Sequence, residues 1–288
     1  MKILVTGTSG QLGTALKSIL EQRDDIQSFF LSRKQLPLEH TEILQDMLGM
    51  YQPDIIIHAA AYTAVDKAES EAALADRINH LACEEIAQYC RLHGARMIGV
   101  STDYVFDGTA IAPQSENAPV NPINVYGKTK LLGEYAIQKW APQYMIIRTS
   151  WVYSLTGSNF VNTMLRLLGE RDAISVVDDQ IGAPTYAQDL AVAIVHLLEA
   201  TKWENGIYNY SNQGAISWYD FACAIKEISG AECAITPIST AQYPTAARRP
   251  AYAVLDTTKI RARGIAVPHW RDSLALCLAQ LNSDTQIR

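Results

Sequence analysis

Two pairs of residues in this 288-residue chain have the spacing of a proton-transfer device: Tyr126 with Lys130, and Tyr135 with Lys139. A tyrosine four positions before a lysine puts phenol and ammonium on one helix face, one turn apart. The phenol can give or take a proton, and a nearby cation favours its ionised form, pulling its pKa below the ordinary ~10. In a chain with 14 tyrosines such pairs also arise by chance, so their position has to decide between them. At ~100° per residue, positions 126 and 135 face opposite sides of one helix. Tyr126 opens that helix, just after Pro119-Val120-Asn121-Pro122, at the sheet edge where open α/β folds take ligands. Tyr135 lies more than two turns on, among Ala136, Lys139 and Trp140, which suits a packed or surface face. Tyr126 and Lys130 are therefore the expected catalytic pair. A third group comes from the strand end Ser101-Thr102-Asp103-Tyr104-Val105-Phe106, where the Thr102 hydroxyl can bond a substrate carbonyl and hold it against Tyr126.

A second motif supplies the partner for such a phenol. Gly7-Thr8-Ser9-Gly10-Gln11-Leu12-Gly13 has the G-x-x-G-x-x-G spacing and falls between an apolar run and an amphipathic one. Glycines there permit a tight turn and a close approach of backbone N–H groups to a pyrophosphate, and the following helix adds the positive end of its dipole. Gly7, Gly10, Gln11, Leu12 and Gly13 are the expected dinucleotide cradle. An acidic residue ending the second strand would hold a ribose 2′-OH. The sequence has Ser32-Arg33-Lys34 there, and Arg33 can pair a 2′-phosphate bidentately. NADPH is favoured on this ground, with NADH left open.

The elements that must position these groups are legible in the apolar pattern. Strands are expected at Lys2–Thr6, Ser28–Leu31, Asp54–His58, Arg96–Ser101 and Tyr144–Thr149, and helices at Leu12–Gln22, from about Glu69 to His93, and from Tyr126 to Trp140. Crossovers of more than ten residues between strands demand parallel pairing, and runs such as Ile55-Ile56-Ile57 suit a sheet covered on both faces. The expected fold is α/β, a Rossmann-like doubly wound parallel sheet over residues 1–150. Beyond Thr149 aromatic residues thicken and elements shorten, which reads as a smaller C-terminal substrate-binding lobe over 151–288, with a helix at about 189–200 returning to the first unit.

Composition narrows the partners. Thirty Asp and Glu against 24 Lys and Arg give a net charge of −6, which argues against nucleic acid. The apolar run after Met1-Lys2 is too short for an export signal, and no stretch approaches the ~18 apolar residues of a membrane span, so a cytoplasmic protein with no membrane partner is expected. Five cysteines without a CxxC pair read as core thiols, and six scattered histidines lack metal-ligand spacing.

The glycine turn, the strand-end Ser-Thr and Tyr-x-x-x-Lys, in this order, resemble the extended short-chain dehydrogenase/reductases. Further blocks are similar to the dTDP-4-dehydrorhamnose reductase family within them: Ala59-Ala60-Ala61-Tyr62-Thr63-Ala64-Val65-Asp66-Lys67, Ser101 to Gly108, Val125 to Lys130, Arg148 to Tyr153, Asp179 to Thr185 and Ala247-Arg248-Arg249-Pro250. The resemblance runs essentially the whole chain. It implies reduction of the C4 ketone of dTDP-4-dehydro-6-deoxy-L-mannose to dTDP-L-rhamnose, for polysaccharide biosynthesis. It implies Tyr126 as proton donor, Lys130 as holder of the nicotinamide ribose that also lowers the Tyr126 pKa, and Thr102 as a tuning hydrogen bond. By the same resemblance Ala61 and Thr63 line the cofactor, while Thr102, Asp103, Tyr104 and Trp151 contact the dTDP-sugar. Arg249, or its neighbour Arg248, is the candidate for the diphosphate, and a flat Trp151 ring suits the methyl face of a 6-deoxysugar. Such families often carry an acid before the helix that follows strand two, a place held here by Pro37. Some use Mg²⁺ at a subunit contact, which no carboxylate cluster obliges here, and a homodimer is left open. The alternatives are a related nucleotide-sugar epimerase or reductase and a non-catalytic regulatory subunit on the same fold. A dehydratase is disfavoured because the strand end reads Thr-Asp-Tyr rather than Thr-Asp-Glu.

Overall fold

The structure is a computed structural model that describes residues 1–285, with side chains through 281. Its centre is a parallel sheet built from β1 (Lys2–Thr6), β2 (Gln27–Leu31), β3 (Ile55–His58), β4 (Arg96–Thr102) and β5 (Tyr144–Thr149), to which Gly206–Asn209 adds a sixth strand beside β5. From edge to edge the order is Gly206–Asn209, β5, β4, β3, β1, β2. This is the doubly wound arrangement, with β1 and β3 adjacent where the order reverses.

Each strand feeds both faces because its side chains alternate. Ile55 and Ile57 pack on one face with Leu16, Leu190 and Ile194, while Ile56 packs on the other with Ile86, Met97 and Ile146. The helix Ala187–Glu199 lies on the first helix, Gln11–Leu20, inside the former cluster. A separate core around Tyr153, Val161, Phe221, Ile225, Trp270 and Leu274 belongs to the C-terminal region.

The structure departs from the sequence reading in several elements, among them an unexpected helix, Leu44–Tyr51, between β2 and β3. The sixth strand, four residues long, falls in the region assigned to the second lobe. The long helix expected from about Glu69 to His93 runs without a gap from Ala72 to His93 but contains a π-turn at Arg77–Leu81, and a separate short helix, Val65–Ala68, precedes it. The π-turn buries Asn79 against the helix Val125–Trp140, and single π-turns of this kind recur at functional sites.

Candidate active site

The C-terminal ends of β1, β3 and β4 lie side by side along one edge of the sheet. At the end of β1 the chain turns through Gly7, whose φ of +73° suits glycine and whose missing side chain is required: a Cβ there would lie 2.7 Å from the Ala60 Cα. Thr6 ties the two strand ends together, its hydroxyl accepting from the Ala60 N–H (3.1 Å) and bonded to His58 Nδ1 (2.9 Å). Gly10 is the N-cap of the first helix, and no side chain bonds that helix end. The first N–H groups of that helix, with no side-chain cap and with Ala60 packed against Gly7, fit a dinucleotide pyrophosphate. Gln11 links the turn to the second lobe, donating to the Val152 carbonyl (3.2 Å) and accepting from Asn159 (2.9 Å) and Ser154 (3.2 Å).

The helix Val125–Trp140 begins against the end of β4. Asn124 caps it, accepting from the Gly127 N–H at 2.7 Å and donating to the Arg248 carbonyl at 2.8 Å. Gly127 lets the helix sit directly on the Tyr104 carbonyl, which any Cβ at 127 would strike. That approach sets the Tyr126 ring edge-on to Tyr104, centroids 5.6 Å apart at 76°, with its phenol on the side of Thr102. Desolvation pushes the Tyr126 pKa up to about 12, with help from the Asp103 charge and against the pull of the nearby Thr102 hydroxyl. The expected lowering by Lys130 is therefore not what the structure shows. The Lys130 ammonium is buried, donates to the Val100 carbonyl at 2.7 Å, and has its own pKa depressed by burial. The phenol is thereby kept protonated, the state a proton donor needs.

Asp103, 2% exposed, accepts from the Thr102 hydroxyl on Oδ1 at 2.9 Å, while its Oδ2 has no partner among the described residues. Burial drives its pKa up to about 7 against the hydrogen bonds of Thr102 and the backbone. His58, on β3, is pushed down to about 3 by burial and then by Lys130, so it stays neutral.

Three supports went unnoticed in the sequence. Glu134, two turns after Tyr126 and one after Lys130, forms a buried bidentate pair with Arg148 of β5 (2.9 and 2.7 Å) and accepts from Ser101 at 2.5 Å. Its i+4 and i+8 spacing from Lys130 and Tyr126 was the available signal. Asn79 clamps the segment that carries Ala61 and Thr63, accepting from the Tyr62 N–H (2.8 Å) and donating to the Tyr62 carbonyl and to Thr129 (both 3.1 Å). Glu39 holds Arg33, accepting from its Nη2 at 3.0 Å and from Nε at 3.2 Å. Burial acts to raise the Glu39 pKa, but its backbone N–H and Arg33 outweigh it and hold the carboxyl below its ordinary value. Glu39 stands two positions after Pro37.

The remaining expected residues are spread around the cleft. Ser32 and the exposed Arg33 follow β2; Leu12 and Gly13 are buried under the turn, and Thr63 is exposed. Arg249 reaches from the C-terminal region to Asp66 (2.6 and 3.0 Å), with further bonds to Thr245 and the Ala247 carbonyl, so both of its terminal nitrogens are engaged within the chain. Arg248 is exposed. Trp151 has a left-handed backbone, φ 47°, and its ring stacks on Trp218 at 3.4 Å and 10°. One ring face is consequently taken by protein. Among the described residues no group of three or more His, Cys, Asp or Glu is placed to hold a metal ion, and no helix is long and apolar enough to cross a membrane.

Comparison with known proteins agrees over the full length. Residues 1–283 match the family model described as the RmlD substrate binding domain. The spore coat polysaccharide biosynthesis protein SpsK of Bacillus subtilis (strain 168) is 42% identical over 98% of either chain. A dTDP-4-dehydrorhamnose reductase of Burkholderia thailandensis is 40% identical over 98% of this chain and all of its own. Among solved structures, dTDP-4-dehydrorhamnose reductase of Bacillus anthracis in complex with NADP superposes with a TM-score of 0.92, at 38% identity, over 97% of this chain and 99% of its own.

Proposed function

The chain belongs to the RmlD substrate binding domain family, and on that premise we propose that it is a dTDP-4-dehydrorhamnose reductase that uses NADPH and Tyr126 as proton donor. The observation that carries the reading is a half-buried phenol beside Thr102, its pKa raised by desolvation, one helical turn from a buried lysine and near an uncapped glycine turn. The family resemblance of the sequence, the reductase names of full-length relatives and the NADP bound in the Bacillus anthracis structure support it.

When bound, the reduced cofactor supplies a hydride to the C4 carbonyl carbon of dTDP-4-dehydro-6-deoxy-L-mannose. Gly7, Gly10, Gln11, Leu12 and Gly13 would hold its pyrophosphate, Ala61 and Thr63 would flank it, and Arg33 with Ser32 would receive the 2′-phosphate. Lys130 would hold the ribose. Negative charge then develops on the substrate oxygen, and Tyr126 gives it a proton, leaving a phenolate that Thr102 can bond. Asp103, Tyr104 and Trp151 would position the deoxysugar. Arg249 would serve the diphosphate after exchanging Asp66 for it. Trp151 would offer the ring face or edge left by Trp218.

The test is consumption of NADPH at 340 nm with the dTDP-4-keto sugar, together with recovery of dTDP-L-rhamnose. Absence of NADPH consumption with that sugar, under conditions where the folded protein binds NADPH, would overturn the reading.

A further inference from the structure

The side chain of Gln11 makes bonds that its place in the dinucleotide turn does not call for. Gln11 is the first residue of the helix Gln11–Leu20, with Gly10 as N-cap, so its backbone N–H has no partner within the helix and stays available to a pyrophosphate. Its carboxamide is engaged elsewhere. Nε2 donates to the Val152 carbonyl at 3.2 Å, and Oε1 accepts from Asn159 Nδ2 at 2.9 Å, with the Ser154 hydroxyl 3.2 Å away. We propose that Gln11 acts through its side chain as a positioning residue for the dTDP-sugar, clamping the segment that carries Trp151 against the glycine turn, and that this side chain contributes little to holding the cofactor. The inference rests on the reductase reading and deepens it.

The clamped segment starts at the strand end that faces Thr102. Thr149 of β5 is the register partner of Thr102 on β4, and Trp151 follows two residues later. Trp218 covers one face of the Trp151 ring, and a Cβ on Gly182 would lie 2.5 Å from its Cε2. The Trp151 backbone is left-handed at φ 47°, a conformation that a bulky residue holds only when its surroundings fix it. The bond from Gln11 to the Val152 carbonyl lies one residue on and bears on that same bend.

The other arm of the carboxamide grips a loop that is tied to itself. Asn159 caps the helix Phe160–Glu170, its Oδ1 accepting from the Asn162 N–H at 3.0 Å, while its Nδ2 donates to the Ser154 carbonyl at 2.8 Å as well as to Gln11. Asn162 in turn donates to the carbonyls of Leu155 (3.2 Å) and Gly157 (2.9 Å). Gln11 thus holds both ends of the stretch from Val152 to Asn159. A carboxamide suits the task, because it sets one donor and one acceptor side by side against a carbonyl and an amide. Without it Trp151 still stacks on Trp218, but the second lobe loses its register with the glycine turn, and a sugar spanning the two meets a misaligned site.

Gln11→Leu keeps the bulk and the backbone N–H and removes both bonds. Asn159→Ser keeps a capping hydroxyl and removes the amide that reaches Gln11, without altering any group of the glycine turn. The KM for the dTDP-4-keto sugar should rise about tenfold in Gln11→Leu and about threefold in Asn159→Ser, near the worth of one or two neutral hydrogen bonds, while the NADPH Kd by fluorescence titration stays within about twofold. A merely structural role would lower the active fraction and Vmax and leave both constants in place, and that result overturns the proposal. So does a Gln11→Leu protein that loses NADPH affinity while its sugar KM holds. If both constants move in Gln11→Leu, or if it does not fold, Asn159→Ser decides: a raised sugar KM with intact NADPH binding supports the clamp, and an unmoved sugar KM overturns it. Amide hydrogen exchange of the ligand-free protein reads the clamp without the reaction. Residues 152–162 should exchange faster in either variant than in wild type, and unchanged exchange overturns the proposal. Failure of the wild type to oxidise NADPH with the keto sugar strikes the reductase reading, and the exchange comparison then decides the clamp separately.

Discussion

The helix Val125–Trp140 carries the same tyrosine–lysine pattern twice, and the two copies live in different solvents. At one end Lys130 is 5% exposed and Tyr126 is walled by Thr102, Asp103 and the Tyr104 ring. At the other Tyr135 is 50% exposed, and Lys139 lies over the Trp140 ring at 4.6 Å. Identical spacing thus yields an acid held protonated by burial in one place and a surface pair in the other. The motif supplies proximity, and the chemistry comes from what the rest of the chain packs around it.

Several measurements would break or sharpen this contrast. The largest effect is expected from Tyr126→Phe, which should lower kcat by about 10²- to 10⁴-fold, the usual worth of a positioned proton donor, while leaving NADPH binding intact. Tyr135→Phe should leave kcat unchanged, and a comparable loss there would erase the distinction between the pairs. Glu134→Ala comes next in size. It strands the Arg148 guanidinium, whose side chain is 3% exposed, and should cost about 3–5 kcal/mol in urea unfolding. Lys139→Ala, at the exposed end, should cost no more than about 0.5–1 kcal/mol by the same method.

Titration compares the two tyrosines directly. A phenol raised to about 12 remains protonated through the ordinary range near 10, so its contribution to stability is complete below pH ~10 and is lost as pH rises from there through about 12. Wild type minus Tyr126→Phe should consequently show no tyrosinate absorbance step at pH 10. A step at or below that value would mean that a cation governs the phenol after all. Smallest among the binding effects, Arg33→Ala should weaken NADPH by about tenfold in a fluorescence titration, near the worth of one hydrogen bond to a charged group, and leave NADH nearly unchanged. Equal losses for both cofactors would remove the 2′-phosphate role.

Much of the site was legible because it is local in the chain. The glycine turn, the strand end at Thr102 and the helix start at Tyr126 each lie within a short segment whose geometry follows from backbone preferences. The supports were not legible for the converse reason. Asn79 works from a π-turn inside the long helix, which helical periodicity alone does not reveal, and its partners are Tyr62 and Thr129. Glu134 has a partner on another strand, and nothing in its immediate neighbours marks it as buried. The strand Gly206–Asn209 is short and joins β5 only because the chain returns from the second lobe. Trp151 could be placed near the cleft, but its stacking on Trp218 depends on a segment 67 positions away.

By itself, then, the order of residues determined the alternating strands and helices, the turn that opens the first helix, and the two phenol–ammonium faces. Those features follow from periodicity and backbone sterics over a few residues. Only tertiary structure decided which phenol is buried, that its pKa moves up rather than down, that Arg33 meets Glu39 and Arg249 meets Asp66, and that Asp103 has a bare oxygen. Desolvation and long-range pairing depend on every segment that closes over a group, and no local stretch of sequence contains that information.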